Sequence, residues 1–243
     1  MEPDLPLSGL KVVELAGVLA GPAVGMFLAE LGAAVIKIEN PAQGDVTRSW
    51  KSASENPENK VSAYYASVNW GKETRFINLK SESGYAEVFA LLSVADIVIT
   101  NFKAGDAEKL KLDENTLHAA NPKLIYASIN GFGSHDPRLA FDLVLQAEAG
   151  FMSMNGTAGS GPLKMPVALI DILAAHQLKE GILLALLQRG KTGKGAVVSV
   201  SLFDAAIASL ANQAGNYLMN QAVPQLQGSL HPNIAPYGEC LKR

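Results

Sequence analysis

Residues Leu10–Glu39, LKVVELAGVLAGPAVGMFLAELGAAVIKIE, decide the fold. LKVVEL reads as a β-strand, AGVLAGP as a turn, AVGMFLAELG as a helix whose apolar spacing stops at Gly32, and AVIKIE as a second strand. This is a βαβ unit, which implies parallel strands joined by a right-handed crossover. The pattern recurs downstream. RFINLK precedes a helix predicted over residues 81–92, DIVITNF precedes one over 107–118, and KLIYASI follows as a strand. Helices are also predicted over 142–152 and 168–188, separated by the Gly-rich NGTAGSGP, and the pattern closes with RGKTGKG, a strand AVVSVSL and a helix FDAAIASLANQAGNYL. Such alternation predicts an α/β fold with a doubly wound sheet. The polar stretch ENPAQGDVTRSWKSASENPENK, residues 39–60, reads as a long functional loop.

The composition narrows the class of partner. With 243 residues, 48% hydrophobic and 18% charged, the chain can bury the core of one large domain or two modest ones. A net charge of −3 with scattered Lys and Arg leaves no electrostatic footprint for nucleic acid, so small molecules are expected. A lone cysteine, Cys240, excludes an intrachain disulfide framework and suits a reducing compartment, with the cytoplasm expected. The first residues, MEPDLPLSGLK, lack the features of a signal peptide. The longest apolar runs are broken by Asp171 and by Lys179-Glu180, short of the roughly 20 residues that span a bilayer, so no membrane association is expected.

Several familiar site patterns fail on their spacing. Gly17 and Gly21 lie four apart and Pro22 opens the helix, which breaks the dinucleotide fingerprint, although Glu39 stands where a ribose-binding acid would sit. The glycines could merely turn the chain, or the helix N-terminus could hold another anion. GKTGKG has Ala185 where a phosphate loop needs glycine, and it follows a helix. His118, His135, His176 and His231 show no metal spacing, so no metal is expected. Asp171 stands out instead, a lone carboxylate inside MPVALIDILAAH, residues 165–176. It reads as the N-cap of the helix that follows. The same position, where a macrodipole and free N–H donors hold a dehydrated carboxylate ionised, fits a nucleophile toward an activated acyl group.

Taken in order, LAGVLAGPAVGMFLAELGAAVIKIE, GDVTR, INLKS, NFKAG, NPKLIYASINGFG, FDLVLQAEAGFMSMNG, VALIDILAAHQLKEGILLAL, RGKTGKGAVVSVSLFDA and HPNIAPY resemble the class III CoA-transferases, a family that includes formyl-CoA transferase, carnitine-CoA transferase and α-methylacyl-CoA racemase. The resemblance covers nearly the whole chain. It implies the Rossmann-like, mostly parallel large domain of that fold, and transfer of CoA from an acyl-CoA donor to a carboxylic acid acceptor. Asp171 matches the family nucleophile, which forms aspartyl anhydride and aspartyl-CoA thioester intermediates. Coenzyme A and its acyl thioesters enter as substrates, and an interlocked homodimer is implied.

CoA contacts follow by position. Leu19 and Ala20 match residues near the thiol, Ile77, Asn78, Leu79, Lys80, Asn101, Phe102 and Lys103 match adenosine and phosphate contacts, and Lys109 resembles a further basic residue on the phosphates. The segment from Arg138 to Phe141 matches the lining of the pantetheine channel and active site. There are departures. Asn40 stands where the formyl-CoA branch carries a basic residue, and Leu19 where that branch has glutamine, which argues against the same small dicarboxylate. Phe141 occupies the position of the racemase histidine, and racemisation needs a base on each face of the α-carbon, so a racemase-like enzyme ranks below a transferase. Family members continue into a second, smaller domain. The expectation is therefore a catalytic domain over residues 1–220 and a truncated linker over 221–243, with a non-catalytic CoA-binding protein as a further alternative.

Overall fold

The structure, a computed structural model, describes residues 5–237; Cys240 lies outside the described residues. Valines set the layering at once. In β1 (Lys11–Glu14), Val12 and Val13 point to opposite faces of the sheet and both are buried, so each face must be covered. The chain then runs α1 (Ala20–Glu30), β2 (Ala34–Glu39), a short 3-10 turn (Val46–Ser49), α2 (Ala63–Asn69), β3 (Glu73–Phe76), α3 (Glu82–Leu92) and β4 (Ile97–Thr100). It continues through α4 (Asp106–Lys109), α5 (Glu114–Ala120), β5 (Ile125–Asn130), α6 (Asp142–Glu148) and α7 (Phe151–Met154). A two-residue hairpin, β6 (Gly156–Thr157) with β7 (Gly161–Pro162), precedes α8 (Leu169–Thr192), β8 (Ala196–Ser201), α9 (Leu202–Ala208) and α10 (Asn212–Asn220).

Six strands form one sheet in the order β3-β2-β1-β4-β5-β8, and every pair is parallel. This is the doubly wound sheet that the alternation predicts. One face is covered by α1, α6, α8 and α9 through Val24, Leu28, Leu145, Ile170, Leu178 and Ala205. The other is covered by α3 and α5 through Val88, Leu92 and Leu117. All four residues of β4 are buried, as a central parallel strand requires, whereas edge strand β3 carries the half-exposed ion pair Glu73–Arg75. Among the described residues no helix is long and apolar enough to cross a membrane.

Several boundaries differ from expectation, each for a local reason. The helix expected over 107–118 is two short ones, because Lys111 takes a φ of 54° so that Leu112 can enter the core. The helix expected over 142–152 breaks at Gly150, where φ is 82°. The closing helix breaks likewise at Ala211, where φ is 47°. The helix that carries Asp171 runs on to Thr192 and stops at left-handed Gly193, since Gly190 is absorbed within it. The loop after β2 holds the 3-10 turn, and α2 follows directly behind it, which the sequence had not suggested.

Candidate active site

β1 and β4 are neighbours, but the chain winds from β1 toward β3 and from β4 toward β8, so the loops leaving their carboxyl ends part and open a crevice. A cavity of about 280 Å³ lies there. It is lined by Gly17–Ala20 after β1, Asn101–Ala104 after β4, the segment after β5 as far as Asp142, and Asp171 from α8. A larger hollow of about 450 Å³ between Gln213 and Asn233 is lined by amides, prolines and His231, and among the described residues that line it there is no carboxylate, lysine or arginine.

Asp171 is the third residue of α8 and not its cap. The N-cap position is Ala168, which offers no side-chain acceptor, and the helix is capped from a distance. Asp142 Oδ1, at the start of α6, accepts the Ile170 N–H at 2.7 Å. One helical turn on, Gln146 donates to Asp142 Oδ2 at 2.6 Å and accepts the Met165 N–H at 2.8 Å, so α6 holds both ends of the segment leading into α8. These bonds also correct the expectation that the helix keeps Asp171 ionised. The Ile170 N–H is already taken by Asp142, and among the described residues no group donates to the Asp171 carboxylate. Burial, and then the Asp142 charge, push its pKa up to about 7. Tyr64 of α2 is also raised, by burial and by the Asp171, Asp142 and Asp45 carboxylates around it, and its ring meets Trp50 edge-on at 5.2 Å.

Glu39 is not free to hold a ribose. It is buried and bound by Arg48 Nε at 2.7 Å, Tyr65 Oη at 2.7 Å and the Asp45 N–H at 2.7 Å. Burial alone would raise its carboxyl, but these donors hold it below the usual carboxylate range. The acid at the end of β2 thus braces the loop behind the site. The glycines of α1 also have a packing role. A methyl group on Gly21 would strike the Ala16 side chain, and one on Gly25 would strike Glu14 Oε2, so the helix can cross β1 closely only without side chains there.

The structure brings Leu19, Ala20, Asn101, Phe102, Lys103, Arg138 and Phe141 into the lining of the cavity that holds Asp171. Asn40 and the segment Ile77–Lys80 lie outside it, on the same carboxyl edge, immediately after β2 and β3. There Asn40 Oδ1 accepts the Ala42 N–H, Asn78 Oδ1 accepts the Lys80 N–H, and Ile77 is buried. Lys109 also lies outside, exposed on α4 and paired with Asp106 at 3.1 Å. Arg138 is committed in part to Asp136 at 2.8 Å and to the ring of Phe132 at 3.7 Å. Sequence reasoning missed Asp142, Gln146 and Tyr64. The first two carried a signal, since an acid and an amide four apart at a helix start share one face and can act together. Tyr64 carried none. Among the described residues no group of three or more His, Cys, Asp or Glu side chains is placed to hold a metal ion.

The family described as CoA-transferase family III matches residues 7–239. The chain is similar to the succinate–glutarate CoA-transferase of Agrobacterium fabrum, 44% identical over 96% of this chain and 60% of the relative. It is also similar to the human succinyl-CoA:glutarate CoA-transferase, 35% identical over 96% of this chain and 53% of the relative. The crystal structure of a CAIB/BAIF family protein from Brucella suis superposes with a TM-score of 0.88 at 42% identity, covering 96% of this chain and 63% of that one. The chain therefore spans between about half and two thirds of the length of these proteins. With the family match running through both the switch-point crevice and the helix of Asp171, the chain belongs to CoA-transferase family III.

Proposed function

We propose that this chain carries the CoA-binding and covalent-transfer site of an acyl-CoA:carboxylate CoA-transferase, with Asp171 as nucleophile. The observation that carries the reading is a single unpaired carboxylate, raised to about 7, on the wall of the switch-point cavity. A carboxylate without donors and largely withdrawn from water is more nucleophilic than a fully solvated one, and it remains substantially ionised at neutral pH. Ionised Asp171 attacks the thioester carbonyl and expels CoA as thiolate, which leaves a mixed aspartyl anhydride. The thiolate then attacks the aspartyl carbonyl of the anhydride, which releases the donor acid as its carboxylate and leaves aspartyl-CoA thioester. The acceptor carboxylate repeats the sequence in reverse, forming a second anhydride from which CoA leaves as the new thioester and Asp171 is regenerated. Leu19 and Ala20, at the start of α1, line the cavity, and their N–H groups are assigned to the developing oxyanions.

The thiol end of CoA is assigned to Leu19 and Ala20, and the pantetheine channel to the segment from Arg138 to Phe141. Lys103, exposed at the rim, is assigned to the phosphates as a point charge, with Asn40, Ile77–Lys80, Asn101, Phe102 and Lys109 along the same carboxyl edge for the nucleotide. Because the relatives named above are called transferases of succinate and glutarate, a short dicarboxylate pair is the proposed substrate class. The stretch from Gln221 onward, which follows α10, is proposed to lead toward a second domain, and an interlocked homodimer is proposed as the assembly. The test is exchange of CoA between succinyl-CoA and glutarate, followed by chromatography of the thioesters. Wild type should form glutaryl-CoA and Asp171→Asn none, and a variant that turns over at the wild-type rate would remove the assignment.

A further inference from the structure

Three successive residues between β1 and α1 are gripped by side chains from three places. Lys37 of β2 donates to the Ala16 carbonyl at 2.7 Å. Asn101, after β4, accepts the Gly17 N–H at 3.1 Å and donates to the Gly17 carbonyl at 2.9 Å. Asp45 Oδ2 accepts the Val18 N–H at 3.2 Å. Val18 has a φ of 73°, a left-handed conformation that a β-branched residue adopts only when its surroundings impose it. The next residue, Leu19, lines the cavity, so the conformation of Val18 sets where it enters.

The charges behind this grip are buried, and the proposed transfer does not use them. Lys37 Nζ lies 2.9 Å from Glu14 Oε1 and 3.1 Å from Asp45 Oδ2, and all three side chains are at most 1% exposed. Burial works to lower the Lys37 pKa, but the two carboxylates outweigh it and raise it. Lys72 adds a second ammonium 2.8 Å from Glu14 Oε2. Such a cluster costs more to dehydrate than an apolar core of the same shape, so its place beside one strained turn asks for a reason beyond stability. Asp45 supplies it. Its Oδ1 is anchored by the Thr47 N–H and hydroxyl at 3.0 and 2.7 Å, and its Oδ2 joins Lys37 to Val18.

We propose that the Glu14–Lys37–Asp45 cluster is a positioning device for the acyl pocket: by holding Val18 left-handed through Asp45, it fixes Leu19 and so sets acyl-chain selectivity without touching substrate. The inference rests on the reading that Leu19 faces the acyl end of the thioester. The test is a double-mutant cycle with Asp45→Asn and Val18→Gly, reading the ratio of kcat/KM for succinyl-CoA over glutaryl-CoA, together with hydrogen exchange of the Val18 amide without substrate. Asp45→Asn should lower the ratio about tenfold, the discrimination that one methylene supports, whereas Val18→Gly, which holds the left-handed conformation without strain, should stay near the wild type and recover most of that loss in the double variant. In Asp45→Asn the Val18 amide should exchange faster. Leu117→Ala, in the core of the opposite sheet face, should leave both readouts unchanged despite its loss of stability. An unchanged ratio in Asp45→Asn, or a double variant that recovers none of its loss, would overturn the inference. If the wild type transfers no CoA, the proposed function fails first, and a Val18 amide that stays protected in Asp45→Asn would still refute the grip by itself.

Discussion

Replacing Asp171 with asparagine keeps the shape of the side chain and deletes its charge at every pH. In the folded chain this carboxyl titrates at about 7, against 3.8 when unfolded, because burial and Asp142 oppose its ionisation. Between those values the folded state holds a proton that the unfolded state has released, so rising pH withdraws stability, and the loss is complete above pH 7. At about 1.4 kcal/mol per tenfold change the full effect is about 4 kcal/mol, which water on the open side of the cleft reduces to about 2 to 4 kcal/mol. Asp171→Asn is free of this penalty. Urea unfolding of both chains at pH 5 and pH 8 should show the variant gaining about 2 to 3 kcal/mol on the wild type over that interval, a midpoint difference of about 1 M. A gap that stays flat with pH would refute the reasoning. So would a wild type that gains on the variant as pH rises, the mark of an aspartate held ionised by partners.

Other changes test the neighbouring contacts. Asp142→Asn keeps an acceptor for the Ile170 N–H but removes the charge beside Asp171, so the midpoint of the acylation pH profile should move down from about 7 and the rate at pH 6 should rise. Gln146→Ala frees the Met165 N–H and loosens the approach to α8; a loss of about 1 to 3 kcal/mol in chemical denaturation is expected from the unpaired buried groups. Gly25→Ala places a methyl group against Glu14 Oε2, which Lys72 holds in place, and denaturation should show a loss of about 1 to 3 kcal/mol or more.

The parallel sheet was legible because its strands are short β-branched runs punctuated by glycine, and a centre covered on both faces leaves such runs apolar throughout, as in β4. Asp171 was legible as a charge out of place in an apolar helix. Its electrostatic state was not, since that depends on Asp142, which lies 29 residues earlier and reaches the helix only through the tertiary fold. The helix breaks at Lys111 and Ala211 were hidden for a related reason: non-glycine residues adopt positive φ there under tertiary packing, and nothing in their local sequence announces it. Glu39 shows the opposite failure. Its position fits a ribose contact, and only the fold reveals that Arg48 and Tyr65 have claimed it.

The central claim is that Asp171 becomes covalently acylated. The direct measurement is peptide mapping by mass spectrometry after incubation with succinyl-CoA, with and without hydroxylamine. The peptide that contains Asp171 should carry CoA as a thioester and convert to the hydroxamate at that residue alone. Transfer of CoA to glutarate with no adduct on that peptide, or with the adduct on another side chain, would contradict it.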